Sequence, residues 1–174
     1  KNKILTNSQS KKKLLNLTKH LPKQDYPEED RKPIIYIYPK TKQPVSIQFQ
    51  DPSILAHTYP KYKNQNSWEV IASPNGNLYH EKTKRNYYAL YWEGKGGNYQ
   101  KYLSTGFLVA SQDTIYFLEE KLAILGLNER EINEFIIYWL PKMEKNKYNL
   151  VHFMTEEWDK KAPLIINPKP DTLI

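Results

Sequence analysis

Lys32-Pro33-Ile34-Ile35-Tyr36-Ile37-Tyr38-Pro39 is the stretch on which the reading of the fold turns. Pro33 and Pro39 bracket five apolar or aromatic residues, three of them β-branched. Proline cannot donate to a sheet ladder, so this pattern predicts one buried strand, Ile34–Tyr38, with a proline stop at each end. The stretch also divides the chain. Before it lies a basic, aromatic-poor leader, and after it lies a body that holds nearly every aromatic residue.

Working outward, Lys40-Thr41-Lys42-Gln43-Pro44 reads as a turn, and Val45-Ser46-Ile47-Gln48-Phe49-Gln50 alternates apolar and polar, as a half-buried strand does. Leu55–Tyr59, Trp68–Ala72, Leu78–His80 and Tyr87–Trp92 read as further strands, and Asn75-Gly76 supplies the positive φ of a tight turn. Residues 94–106 form the longest loop of the body. The pattern then becomes helical. Ser111 or Asp113 is placed to cap a helix through Leu125, with Ile115, Phe117, Leu118, Leu122 and Leu125 as its apolar stripe and Gly126 as its stop. Asn128 with Glu131 resembles a capping box for a second helix, whose inner stripe is Ile132, Phe135, Ile136 and Trp139 and which Pro141 ends or kinks. Strands are expected at Asn149–Phe153 and Leu164–Ile166. The fold class is therefore α+β: an antiparallel β-sandwich or twisted sheet built mainly from Ile34–Trp92, with a helical hairpin (residues 113–125 and 129–140) packed against it and an extended N-terminal arm. The expected organisation is an arm at 1–31 and a single domain at 32–174.

The body resembles an uncharacterised family marked by Lys-Pro-(Val/Ile)-Ile-Tyr-(Leu/Ile)-Tyr-Pro. Its further landmarks recur in order here: Thr58-Tyr59-Pro60, Trp68-Glu69-Val70, Pro74-Asn75-Gly76, Tyr91-Trp92-Glu93-Gly94, Gly106-Phe107, Phe117-Leu118-Glu119, Leu125-Gly126-Leu127, Asn133-Glu134-Phe135-Ile136, Tyr138-Trp139-Leu140-Pro141, Asn146-Lys147-Tyr148-Asn149-Leu150 and Pro168-Lys169-Pro170-Asp171. The resemblance covers Lys32 to Ile174. The family has no assigned activity, so the likeness implies no chemistry. Its members continue past Pro-Asp with another apolar strand and a tail, which leads us to expect that this chain is part of something longer.

A chain of 174 residues, 39% hydrophobic and 26% charged, suits one domain. No apolar run approaches the roughly 20 residues that span a bilayer. No signal segment follows Lys1, which leaves secretion open. The absence of cysteine excludes disulfides, thiolate catalysis and cysteine-based zinc sites, and is compatible with cytoplasm or virion. Residues 1–32 carry nine basic and four acidic residues, against seventeen and fifteen in the remainder, so the excess positive charge belongs to the leader. Arginine occurs only at 31, 85 and 130, and the 23 lysines reflect AT-rich codon usage as readily as function.

No constellation dictates a reaction. The histidines (20, 57, 80 and 152) make no metal-ligand spacing, Gly94-Lys95-Gly96-Gly97 lacks the phosphate-loop spacing, and no nucleophile elbow is present. No catalytic residue, metal or cofactor is expected. The residues with any site character are Trp92, Glu93 and Glu134, a possible sugar-binding cleft or acid pair with Trp68 and Trp139 as platforms. Against this stands the plainer reading of core tryptophans and paired acids.

The leading functional expectation is a non-catalytic structural and interaction module, a subunit of a larger assembly such as a viral particle. Its arm docks on a protein partner through Leu14, Leu15 and Leu17, with Lys11, Lys12 and Lys13 at the rim. The alternatives are a carbohydrate-active or carbohydrate-binding domain using Glu93, Glu134 and tryptophans, and nucleic-acid binding through the basic arm.

Overall fold

A computed structural model describes residues 29–30, 32–62, 67–95 and 105–174. In chain order the strands are β1 (Glu29–Asp30), β2 (Ile34–Ile35), β3 (Ile37–Tyr38), β4 (Gln43–Phe49), β5 (Leu55–Tyr59), β6 (Trp68–Ala72), β7 (Leu78–His80), β8 (Arg85–Tyr87), β9 (Leu90–Lys95), β10 (Phe107–Ala110), β11 (Tyr148–Val151), β12 (Leu164–Asn167) and β13 (Thr172–Leu173). The helices are α1 (Thr114–Ile124), α2 (Glu129–Met143) and α3 (Glu156–Lys161). Helices and several antiparallel sheets together make an α+β fold. The described residues fall into two compact units: a sheet unit, 29–95 with 154–174, and a helical unit, 105–153.

In the sheet unit a five-stranded antiparallel sheet runs β12-β4-β6-β7-β8. Alternation works here as the sequence dictates: Val45, Ile47 and Phe49 of β4 and Trp68, Val70 and Ala72 of β6 are buried, while Glu69 between them is exposed. The β6–β7 turn closes with Gly76 N–H donating to the Ser73 carbonyl at 2.9 Å, and the positive φ falls on Gly76 (82°). In the second sheet β9 is central. Gly94 pairs with Leu55 of β5 and with Asp30 of β1, and Tyr91 pairs with Tyr59 of β5 and with Ile34 of β2, so β5 lies on one edge of β9 and β1 and β2 on the other. Trp92 of β9 meets the Phe49 ring of β4 at a centroid distance of 5.0 Å, so side chains from both sheets share one core.

The opening stretch is not a single strand. Ile34 and Ile35 pair with β9, Ile37 and Tyr38 pair with β13, and the Tyr36 main chain bonds to Ile174. The change of partner buries Ile35, Tyr36 and Ile37 in succession, which a strand with one solvent face cannot do. Glu29 and Asp30 lie before the boundary expected at residue 31, yet they join the β9 ladder.

In the helical unit α1 and α2 pack through Leu118, Leu122 and Ile132, with Phe117, Phe135, Ile136, Met143 and Phe153 around them. The strands that accompany them are β10 and β11, paired antiparallel, and Phe107 of β10 contacts Phe117 of α1 at 5.3 Å. The sequence alone does not reveal β10, a four-residue strand that passes straight into the turn at Ser111–Asp113. Thr114 is buried at the start of α1, and no side-chain cap bond comes from Asp113. The helix ends in a Schellman arrangement: Leu127 N–H donates to the Leu122 carbonyl and Gly126 N–H to the Ala123 carbonyl, with Gly126 at φ 94°. The capping box of α2 is complete, Glu131 N–H donating to Asn128 Oδ1 at 3.1 Å and Asn128 N–H to Glu131 Oε2 at 2.8 Å. Pro141 does not end α2, which runs on to Met143. In the last turn a proline removes only one intrahelical donor.

Candidate functional site

Trp92 is 2% exposed and sits among Phe49 and Trp158, so it presents no ring face to a ligand. Trp68 is 1% exposed; its indole N–H donates to the Pro60 carbonyl at 2.8 Å, and its ring meets those of Phe49 and Tyr62. Both belong to the core, as an aromatic with a satisfied polar handle does. Trp139 is half-buried and is absent from the helical core. Its ring touches Phe135 and Tyr138, with the Lys142 ammonium 5.6 Å from its centroid.

Glu93 follows Trp92 along β9, so its side chain points to the opposite face of that strand, in register with His57 of β5. It is half-buried and, among the described residues, stands in no ion pair. Gly94 beside it permits a close approach: a Cβ there would lie 2.7 Å from the Ile54 carbonyl oxygen and 2.9 Å from the Trp92 ring. Glu134 belongs to the helical unit, where Arg130 Nε lies 3.4 Å from its carboxylate one turn away. The two acids thus sit in different units.

Other ionisable groups have local explanations. Lys40 N–H donates to Asp171 Oδ2 at 2.6 Å with the Lys40 ammonium 3.3 Å away, and that backbone hydrogen bond chiefly holds the Asp171 carboxyl below its usual value. Burial pushes the Tyr62 phenol up, although Phe49 N–H donates to its oxygen. Among the described residues no group of three or more His, Asp or Glu side chains could hold a metal ion, and no helix is long and apolar enough to cross a membrane.

Leu14, Leu15, Leu17, Lys11, Lys12 and Lys13 lie outside the described residues. What the sequence reading missed is the outward side of α1. Ile115 and Leu125, counted there in the inner stripe, are 44% and 40% exposed, and Tyr116 and Ile124 are 66% and 71% exposed. This helix carries apolar residues on nearly every side, so helical periodicity does not reveal which of them face inward.

No protein-family model matches this chain, and neither the curated proteins nor the solved structures contain one significantly similar to it.

Proposed function

We propose that the chain is a non-catalytic structural and interaction module, a subunit of a larger assembly such as a viral particle. In this reading the five-stranded sheet and the β9 sheet form a β-sandwich scaffold. The basic arm of residues 1–31 engages a protein partner, with Leu14, Leu15 and Leu17 as anchors and Lys11, Lys12 and Lys13 at the rim. The observation that carries the reading is the apolar surface of the helical unit: Phe107, Leu108, Tyr116, Ile124, Ile137 and Tyr148 are 46–74% exposed. This number of exposed apolar side chains on one small unit supports an interaction role, because isolated soluble folds keep contiguous apolar patches small. The commitment of Trp68 and Trp92 to the core supports a scaffold over a sugar platform.

The test is affinity purification from the native source, comparing the full chain with a Leu14→Ser, Leu15→Ser, Leu17→Ser variant. A defined protein recovered at fixed stoichiometry with the first and lost with the second supports the reading. Equal recovery with both, or recovery of nucleic acid in place of protein, contradicts it.

A further inference from the structure

The outward side of α1 has a regular composition. Successive i, i+4 positions make two adjacent rows on a helix. One row is Ile115, Glu119 and Ala123; the other is Tyr116, Glu120 and Ile124; all six residues are exposed. Each row is thus an apolar residue, a glutamate and an apolar residue. The opposite side, Thr114, Leu118 and Leu122, is buried. Glu120 shares its charge with Lys121 at 2.6 Å, which leaves the strip acidic through Glu119. Asp113, immediately before α1, is exposed as well.

An occupant of this strip needs closely spaced apolar side chains bordered by positive charge. The chain itself contains one such segment, Lys11-Lys12-Lys13-Leu14-Leu15-Asn16-Leu17-Thr18-Lys19. Two turns of helix over these residues would carry three leucines flanked by four lysines. Such a helix is too short to be stable alone and gains its stability on docking. Ile124 is 71% exposed and Tyr116 66% exposed, so the strip is open to an occupant. We infer that the outward strip of α1 receives residues 11–19 of a second copy of the same chain, arm to helix, in a head-to-tail contact. This rests on the interaction-module reading and names the partner. An arm that leaves one copy and a face that accepts it on the next are different surfaces, so the contact is heterologous and can propagate into a ring or a filament.

Sedimentation velocity on the full chain tests this with two variants. In the face variant, Tyr116→Ser with Ile124→Asp, both changes fall on exposed positions, and a circular dichroism melt checks that the fold is kept. The arm variant carries Leu14→Ser, Leu15→Ser and Leu17→Ser. Wild type is expected to form species above the monomer mass as concentration rises, and each variant alone to associate at least about tenfold more weakly, the scale of losing central anchors. The decisive arm is the mixture: the face variant still owns an arm and the arm variant still owns a face, so together they should form a 1:1 complex that neither forms alone. A monomeric wild type, or a mixture that stays monomeric while wild type associates, overturns the inference. So does a monomer in which arm truncation speeds amide exchange of α1, since the arm would then cover its own helix. A monomeric wild type that still captures a different protein through its arm removes the second copy as partner and leaves the interaction-module reading standing.

Discussion

The main chains of Tyr36 and Ile174 exchange two hydrogen bonds, Tyr36 N–H donating to the Ile174 carbonyl at 2.8 Å and Ile174 N–H donating back to the Tyr36 carbonyl at 3.1 Å. Residues 172–174 thereby complete the edge beside the opening stretch, where Ile37 is fully buried. Removing Thr172–Ile174 takes away the β13–β3 pairing as well as these two hydrogen bonds, and is expected to cost more than about 2 kcal/mol at roughly 1 kcal/mol per backbone hydrogen bond lost. Urea unfolding measures it; an unchanged midpoint would show that β3 needs no cover.

Two glycine substitutions should separate crowding from backbone strain. At Gly94 an added methyl meets the Ile54 carbonyl and the ring of the buried Trp92, and Gly94→Ala should lose about 3 kcal/mol. At Gly126 nothing lies within 4 Å, but φ is 94°, so Gly126→Ala should lose only about 1 kcal/mol. Equal losses in chemical denaturation would refute the distinction.

The tryptophans should differ in the same assay. Trp68→Ala empties a fully packed site and strands the Pro60 carbonyl, for about 3–5 kcal/mol. Trp139→Ala, on a half-buried ring outside the helical core, should cost about 1 kcal/mol. A large loss at Trp139 would restore it to the inner stripe that periodicity assigned it.

What could be read from residues alone followed from local rules. The alternation of Val45, Ile47 and Phe49, the Asn128–Glu131 box and the Gly126 stop each fix geometry within a few residues, and each is present. The change of partner at Tyr36 was not legible, because it depends on Ile174, far along the chain. The side assignment on α1 was not legible either, since Ile115 and Leu118 have the same apolar character and only packing separates them. For Glu93 and Glu134 the chain order gave no sign that they belong to different units.

Asp171 gives a pH signature. Its carboxyl is held below the ordinary value by the Lys40 N–H, so what it contributes is present above the unfolded value of about 3.9 and is lost as pH falls through the lower folded value. Asp171→Asn should therefore lower stability at neutral pH and flatten the acid limb of the denaturation midpoint against pH. An acid limb identical to wild type would remove Asp171 from the account.

The central claim is that a scaffold docks through its arm. It is tested most directly by crosslinking and mass spectrometry in the native source, comparing the full chain with one that begins at Glu29 so that the β1 ladder is retained. The account predicts that the shortened chain loses its crosslinked protein partner while its circular dichroism melt stays in place. Retention of the same partner without the arm, or unfolding of the shortened chain, would contradict it.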